Sequence, residues 1–519
     1  MPSPHRPFLL SHLIPDAADR EADAPALTDG TDRLTHGELE GRVGRLAAAL
    51  RDRGVHRGDR VMIHAPKSID TFVAMHAAMR AGGVAVPVDS RIGADAVADI
   101  VRSVEPAAAV LHPTTASRWA PGSRPGFTVG TGLDHVAEHL PWDEVEAGDS
   151  RGPEPRLGTD PAYMITTSGS TGAPKSIVHT HHSGLRYAEL AAACYGLRSD
   201  DRMANVAPFH FDQSTFELYS GPLVGAGVVL VPEVLLRFPA DVAALVEREQ
   251  VTVWYSVPTI LRQLLHRGAL TDTSLQRLRW VLFGGEIFPA NELRALMELA
   301  PNARFSNAYG PAEVNQCTFH HLDAAPADDE SIPIGEAWAD TRCRIVGRPG
   351  VADDEDDHRG ELLVQSATVM AGYWRQPAAT AAAFFDEEAP GGFVTRWYRT
   401  GDLIERDDAG RMHFRGRIDR QVKVRGVRIE LEAVEVALDG IEGVTASAAG
   451  LTRGGALAAM VESPTLRDTK QIRRALAAVL APESRPEHIE IVTALPRTGS
   501  DKIDRAATAA RIEMLDDGR

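Results

Sequence analysis

The run Thr166-Thr167-Ser168-Gly169-Ser170-Thr171-Gly172-Ala173-Pro174-Lys175 crowds hydroxyls, two glycines and a lysine into ten residues. Glycine lets backbone N–H groups approach anionic oxygens, hydroxyls add hydrogen bonds, and a lysine adds a mobile positive charge. That is chemistry suited to a polyphosphate. The spacing is not the G-x-x-x-x-G-K-[ST] of a P-loop, since Lys175 follows Pro174, so a P-loop kinase or GTPase is disfavoured. Ser, Thr and Gly also populate ordinary surface turns, so this loop alone leaves phosphate binding open. His179, His181 and His182 cluster nearby, but no cysteine or second histidine pair stands at ligand spacing, which argues against a metal centre. Cys194, Cys317 and Cys343 are too few and too scattered for a disulfide framework or a zinc cluster.

The elements around the loop alternate between strand and helix. Leu39, Val43, Leu46 and Leu50 share a helical face, and Val61-Met62-Ile63 reads as a buried strand. A helix over 68–80 then leads to the strand-like run 84–88. Ala162-Tyr163-Met164-Ile165 delivers into the loop itself, and strand-like runs recur at 228–231, 252–257 and 278–283 with helical stretches between them. Such alternation predicts parallel sheet covered on both faces. Residues 141–160 are acidic and rich in Pro and Gly and read as a linker. From about residue 332 short strands and turns predict a small β subdomain. Beyond residue 418 about a hundred residues of α+β follow. The expected fold class is therefore α/β: a large N-terminal domain of α/β layers with a small β subdomain (1–418), and a small mobile α+β C-terminal domain (419–519).

Composition bounds the rest. The chain has 519 residues, 44% of them hydrophobic and 24% charged, as in a soluble globular protein, and a net charge of -17. That charge argues against nucleic-acid or anionic-membrane partners. No apolar run is long enough to span a membrane, and residues 1–15 do not resemble a secretory signal, so the expected location is the cytoplasm.

Taken together, the motifs resemble the adenylate-forming superfamily, which includes acyl-CoA synthetases, luciferase and nonribosomal peptide adenylation domains. The resemblance spans nearly the whole chain. It implies that Thr167, Ser168, Gly169, Ser170, Thr171, Gly172 and Lys175 hold the ATP phosphates. Asn307-Ala308-Tyr309-Gly310-Pro311-Ala312-Glu313 resembles the adenine and magnesium motif, with Asn307 on the adenine edge, Tyr309 against its ring, Ala308 and Gly310 beside them, and Glu313 on Mg²⁺. Asp402 would accept the ribose hydroxyls, Arg417 would contact ribose or phosphate, and Gly285 and Phe414 complete the ATP-binding set. Asp419 would be the hinge, Gly426 would line a thiol tunnel, and Lys502 would bridge carboxylate and α-phosphate as the catalytic lysine beside Glu313 and Arg417. Two departures stand out. The family usually has Thr where Ala312 stands, and losing a hydroxyl donor to a charged group costs about 1.5–3 kcal/mol. It usually has Gly where Asp501 stands.

Phe211-Asp212-Gln213-Ser214 resembles the motif of amino-acid-activating members. A buried carboxylate is costly without a cation, and a substrate ammonium would be that cation; Asp is also a favoured helix N-cap. Alignment by motif lines the substrate pocket with Asp212, Gln213, Phe216, Tyr255, Leu282, Gly284, Ala308, Gln316 and Cys317. Bulky Phe216 and Tyr255 favour a small side chain, with alanine expected first and proline, glycine and serine as alternatives. No carrier module is recognisable after residue 505, so the expected acceptor is a freestanding acyl or peptidyl carrier protein bearing phosphopantetheine. An acyl- or aryl-CoA ligase and a degenerate, non-catalytic adenylation fold are the competing readings.

Overall fold

The computed structural model describes residues 7–119, 125–132, 138–167, 174–267, 270, 275–327, 331–347, 358–418, 420–497 and 503–515. Among them, two large sheets organise the N-terminal part. One has nine strands, and its centre runs in parallel through Arg304–Tyr309, Trp280–Phe283, Val253–Ser256, Arg202–Asn205 and Gly227–Leu230. The other has eight strands, with Pro161–Thr167, Val84–Pro87, Arg60–His64 and Ala108–Leu111 side by side. Arg60–His64, Val84–Pro87, Pro161–Thr167, Gly227–Leu230, Val253–Ser256 and Trp280–Phe283 fall on the predicted apolar runs and, being buried on both faces, read as near-continuous apolar stretches. Arg202–Asn205 and Arg304–Tyr309 carry polar residues and are not announced by such runs.

Helices fill the space between the sheets, and local sequence starts them. His36–Asp52 opens on a capping box, in which the Thr35 hydroxyl accepts from the Glu38 N–H and the Glu38 carboxylate accepts from the Thr35 N–H. Ile69–Arg80 opens the same way on Ser68 and Thr71, and eleven of its twelve residues are buried. One apolar core runs through both sheets, including Leu46, Val61, Phe72, Tyr163, Tyr219 and Tyr309.

Two features depart from the expected pattern. Within the expected linker, Trp142–Ala147 is a helix, anchored by buried Trp142 and Val145. Its Glu146 accepts from both Arg42 and Arg45, a tertiary contact that local composition does not announce. After Phe211, the chain enters a short 3₁₀ turn, Asp212–Ser214, and then a π-helical turn, Phe216–Ser220, a form rare outside functional sites.

A five-stranded sheet from Thr341–Val346 to Met412–Arg417 forms the β subdomain. Residues 420–515 form the smaller α+β part. It has an antiparallel hairpin of Gln421–Val424 and Val427–Glu430, a three-stranded sheet, and the helices Leu431–Asp439, Thr469–Val479 and Arg505–Glu513. The large α/β unit with a smaller α+β unit after it is the fold class expected. Among the described residues no helix is long and apolar enough to cross a membrane.

Candidate active site

A cavity of ≈ 1240 Å³ opens at the carboxyl ends of the parallel strands and is closed on its far side by the 421–430 hairpin. Ligands in α/β sheets bind at these strand ends because the connecting loops converge there. Thr166 and Thr167 reach it at the end of Pro161–Thr167. Tyr255 comes from Val253–Ser256, Gly284 and Gly285 follow Trp280–Phe283, and Ala308 and Gly310 come from the end of Arg304–Tyr309. Parallel register sets Tyr255 beside Leu282 and Phe283 beside Asn307.

Asp212 and Gln213 also line this cavity. Among the described residues the Asp212 carboxylate makes no ion pair. Burial pushes its pKa up to about 6, against the opposing pull of Lys423 across the cavity. A carboxylate in that state is stabilised by an arriving cation. Behind it, Phe216 meets Tyr255 edge-on at 5.5 Å. At Gly284 the backbone approaches so closely that a Cβ would stand 2.1 Å from the Ala308 carbonyl oxygen and 3.4 Å from the Tyr255 hydroxyl.

The other expected pocket residues are not part of the cavity lining. Phe216 and Leu282 are fully buried behind Tyr255 and Ala308. Gln316 donates to the Tyr195 hydroxyl at 2.7 Å and to the Thr318 carbonyl at 3.3 Å. Cys317 faces the other way, into the core around Tyr309, where burial raises its thiol pKa. Gln316 turns to Tyr195 while Cys317 enters the core around Tyr309, so the two do not address one pocket. Conversely, Tyr187 lines the cavity from the helix His181–Tyr195. Motif reading passes over it because its spacing is that of an ordinary core residue.

On the nucleotide side, Tyr309 donates its hydroxyl to one oxygen of Asp402, and the Arg417 guanidinium donates to the other. Asp402 and Arg417 line the cavity. The arrangement presents a carboxylate whose two oxygens can accept two bonds at once, the geometry vicinal hydroxyls need. Asn307 donates its side-chain amide to the Pro333 carbonyl at 2.8 Å, which fixes the way the amide faces. Phe414 lies across from Ile404 in the β subdomain and packs on the main core. Lys175 stands 3.6 Å from Glu430 and 6.0 Å from the centre of the Tyr373 ring.

Glu313 is buried, and its carboxylate accepts from the Tyr373 hydroxyl at 2.7 Å and from Arg428. The preceding residue, Ala312, has no hydroxyl, but its carbonyl is bonded at 2.9 Å to the ring of His179, which stacks on Tyr163. Among the described residues no cluster of three or more His, Cys, Asp or Glu could hold a metal. A single hard carboxylate fits magnesium, which usually takes one or two carboxylates and draws its other ligands from phosphate and water. Ser168, Gly169, Ser170, Thr171, Gly172, Asp419 and Lys502 lie outside the described residues.

A family model for AMP-binding enzymes matches residues 14–374. The chain belongs to the AMP-binding enzyme family. Membership in the adenylate-forming superfamily, expected from the motifs, is thereby shown, and with it an enzyme that uses ATP. Over 508 residues the chain is 33% identical to an L-proline--[L-prolyl-carrier protein] ligase of Pseudomonas fluorescens, covering 94% of this chain and 96% of that protein. It is also 33% identical to an enzyme of the same name from Streptomyces coelicolor, covering 81% and 80%. Among solved structures, IdnL1 superposes with a TM-score of 0.78 at 29% identity, over 95% of this chain and all of that one. Alanine, the substrate expected first, finds no support in these AMP-binding relatives, whose names fit the proline alternative instead.

Proposed function

We propose that this protein activates L-proline with ATP as prolyl-AMP and passes the prolyl group to the phosphopantetheine thiol of a separate carrier protein. The observation that carries this reading is the match along nearly the entire length to carrier-protein ligases named for proline. The site supports it independently. Asp212 offers a buried anion for a substrate ammonium. Tyr255, braced by Phe216, and the close backbone at Gly284 and Ala308 form a firm wall beside it, which suits a compact ring.

In the first half-reaction a proline carboxylate oxygen attacks the α-phosphorus and pyrophosphate leaves. In the second the thiolate sulfur attacks the acyl carbon and AMP leaves. Both steps call for positioning and charge stabilisation, with no protein nucleophile. In this reading Lys175 and the 166–172 loop hold phosphate, while Asp402 takes the ribose. Asn307 and Tyr309 bound the adenine, and Glu313 with Mg²⁺ neutralises the α-phosphate. Lys502 and Arg417 stabilise the developing charge, and residues 419–519 move about Asp419 between the two steps. Cys194 and Cys317 are poor nucleophiles: burial pushes the Cys194 thiol up to about 12 and raises that of Cys317.

The test is ATP–pyrophosphate exchange with proline, alanine, glycine, serine and simple organic acids. Proline alone should drive it, and Asp212→Ala should abolish it. Exchange with alanine and none with proline would overturn the substrate.

A further inference from the structure

The segment that carries Asp212 is gripped from outside its own sheet. It leaves the strand Arg202–Asn205, runs through residues 206–213, all of which but Phe209 line the cavity, and ends in the π-helical turn Phe216–Ser220. Against it lies the helix Ile69–Arg80, with Lys67 just ahead, which follows the strand Arg60–His64 of the other large sheet.

Three side chains make the grip. The Lys67 ammonium donates to the carbonyls of Asn205 at 2.9 Å, Val206 at 2.8 Å and Ala207 at 3.4 Å. A chain leaving a strand turns its carbonyls away from the ladder, and an ammonium has three hydrogens to offer them. Burial pulls the Lys67 pKa down to about 8, with Glu233 and Glu217 pulling back. One turn along, Phe72 meets Phe209 edge-on at 6.2 Å. At the far end the ring of His76 is bonded through Nε2 to the Leu218 carbonyl at 3.1 Å. Burial pulls the His76 pKa down to about 3, so the ring is neutral. A carbonyl only accepts, so Nε2 carries the hydrogen. Asp212 stands midway between the two pins.

We propose that Lys67 and His76 are positioning residues for amino-acid recognition, pinning both ends of the segment so that the Asp212 carboxylate meets the substrate ammonium at one fixed place. Neither touches the substrate. A displacement of about 1 Å at a reacting or recognising group can cost about a hundredfold, and an ion pair in a dry site is strong only at short range. The nucleotide side is built from elsewhere: Asn307 and Tyr309 stand on Arg304–Tyr309, and Asp402 on Phe393–Arg406. Loosening either pin therefore weakens amino-acid capture and spares ATP.

This rests on Asp212 receiving an ammonium in the proposed function, and the experiment separates the two. Pyrophosphate exchange is measured across a matrix of proline and ATP concentrations for Lys67→Met, Lys67→Arg, His76→Phe and His76→Gln, and ATP binding by each is followed without amino acid. In Lys67→Met and His76→Phe, which lose the donor, KM for proline should rise at least about tenfold while ATP affinity stays within about twofold. Lys67→Arg and His76→Gln, which keep a donor, should recover most of the loss. In an Asp212→Asn background Lys67→Met should add little, because the group it positions has lost its charge. An unchanged KM for proline overturns the proposal. So does a loss of ATP affinity in step with that of proline, since the pins then serve the fold as a whole. Where the wild type is driven by a different amino acid, the proline reading falls, and the same one-sided rise in KM for that amino acid sustains this inference. Exchange driven only by organic acids overturns both.

Discussion

The ring of Phe216 meets that of Tyr255 edge-on, with 5.5 Å between centroids and 83° between planes. Tyr255 faces the cavity and Phe216 is fully buried behind it, so the pocket wall is one ring deep and braced by a second. Removing the brace in Phe216→Ala leaves a void and costs about 3–5 kcal/mol. It also lets Tyr255 retreat. The expected result is a lower melting temperature together with pyrophosphate exchange driven by amino acids larger than proline. A variant that melts lower yet keeps the parent's substrate range would show that Phe216 serves stability alone.

Asp212 makes substrate capture depend on pH. Its carboxyl titrates near about 6, raised by burial. A substrate ammonium prefers the ionised form, so it must lower that pKa on binding, and binding is complete above pH 6. Below it, KM for the amino acid should rise roughly tenfold per pH unit until the complex itself protonates. In Asp212→Asn the dependence should vanish and affinity fall by about 3 kcal/mol or more, since the ammonium loses its counter-charge. A wild-type KM flat from pH 5 to 8 would contradict the assignment.

Glu217 carries no role in the proposed chemistry, yet burial pushes its pKa up to about 8. It accepts from the Asn205 amide at 3.0 Å. A raised carboxyl holds its proton in the folded state while the unfolded chain has lost it. Its stabilising contribution is complete below about pH 4.5 and declines through pH 8 at about 1.4 kcal/mol per unit. Glu217→Gln, neutral throughout, should match the wild type near pH 5 and be the more stable protein at pH 8. Denaturant unfolding at the two pH values decides it.

The sequence shows best what depends on neighbours. Apolar runs such as Val61-Met62-Ile63 declare buried strands, and Thr35 with Glu38 declares a helix start. Asp212 is legible because a charged residue in an apolar stretch calls for a partner. Contacts between distant segments are another matter. Nothing local pairs Glu313 with Arg428, nor brings Tyr187 to the cavity from a helix that otherwise packs in the core. Gln316 and Cys317 show the same limit at short range. Motif alignment places both in the pocket, but the chain is about to enter the strand Thr318–Leu322 and sends their side chains to opposite sides.

Gly426 offers the sharpest separation of the two half-reactions. It sits at φ +78°, where any other residue is strained, and a Cβ there would overlap Val257. The φ belongs to the hairpin turn wherever the hairpin sits, whereas the overlap with Val257 exists only while it is seated. Gly426→Ala therefore burdens the seated arrangement and leaves Asp212, Asp402 and Glu313 untouched. Proline-dependent pyrophosphate exchange should stay within about twofold of wild type. Transfer to the carrier should fall by about a hundredfold or more, because the overlap with Val257 costs about 3 kcal/mol. Single-turnover transfer from preformed prolyl-AMP reads the second step directly. Equal losses in both assays would mean that the seated hairpin serves adenylation as well.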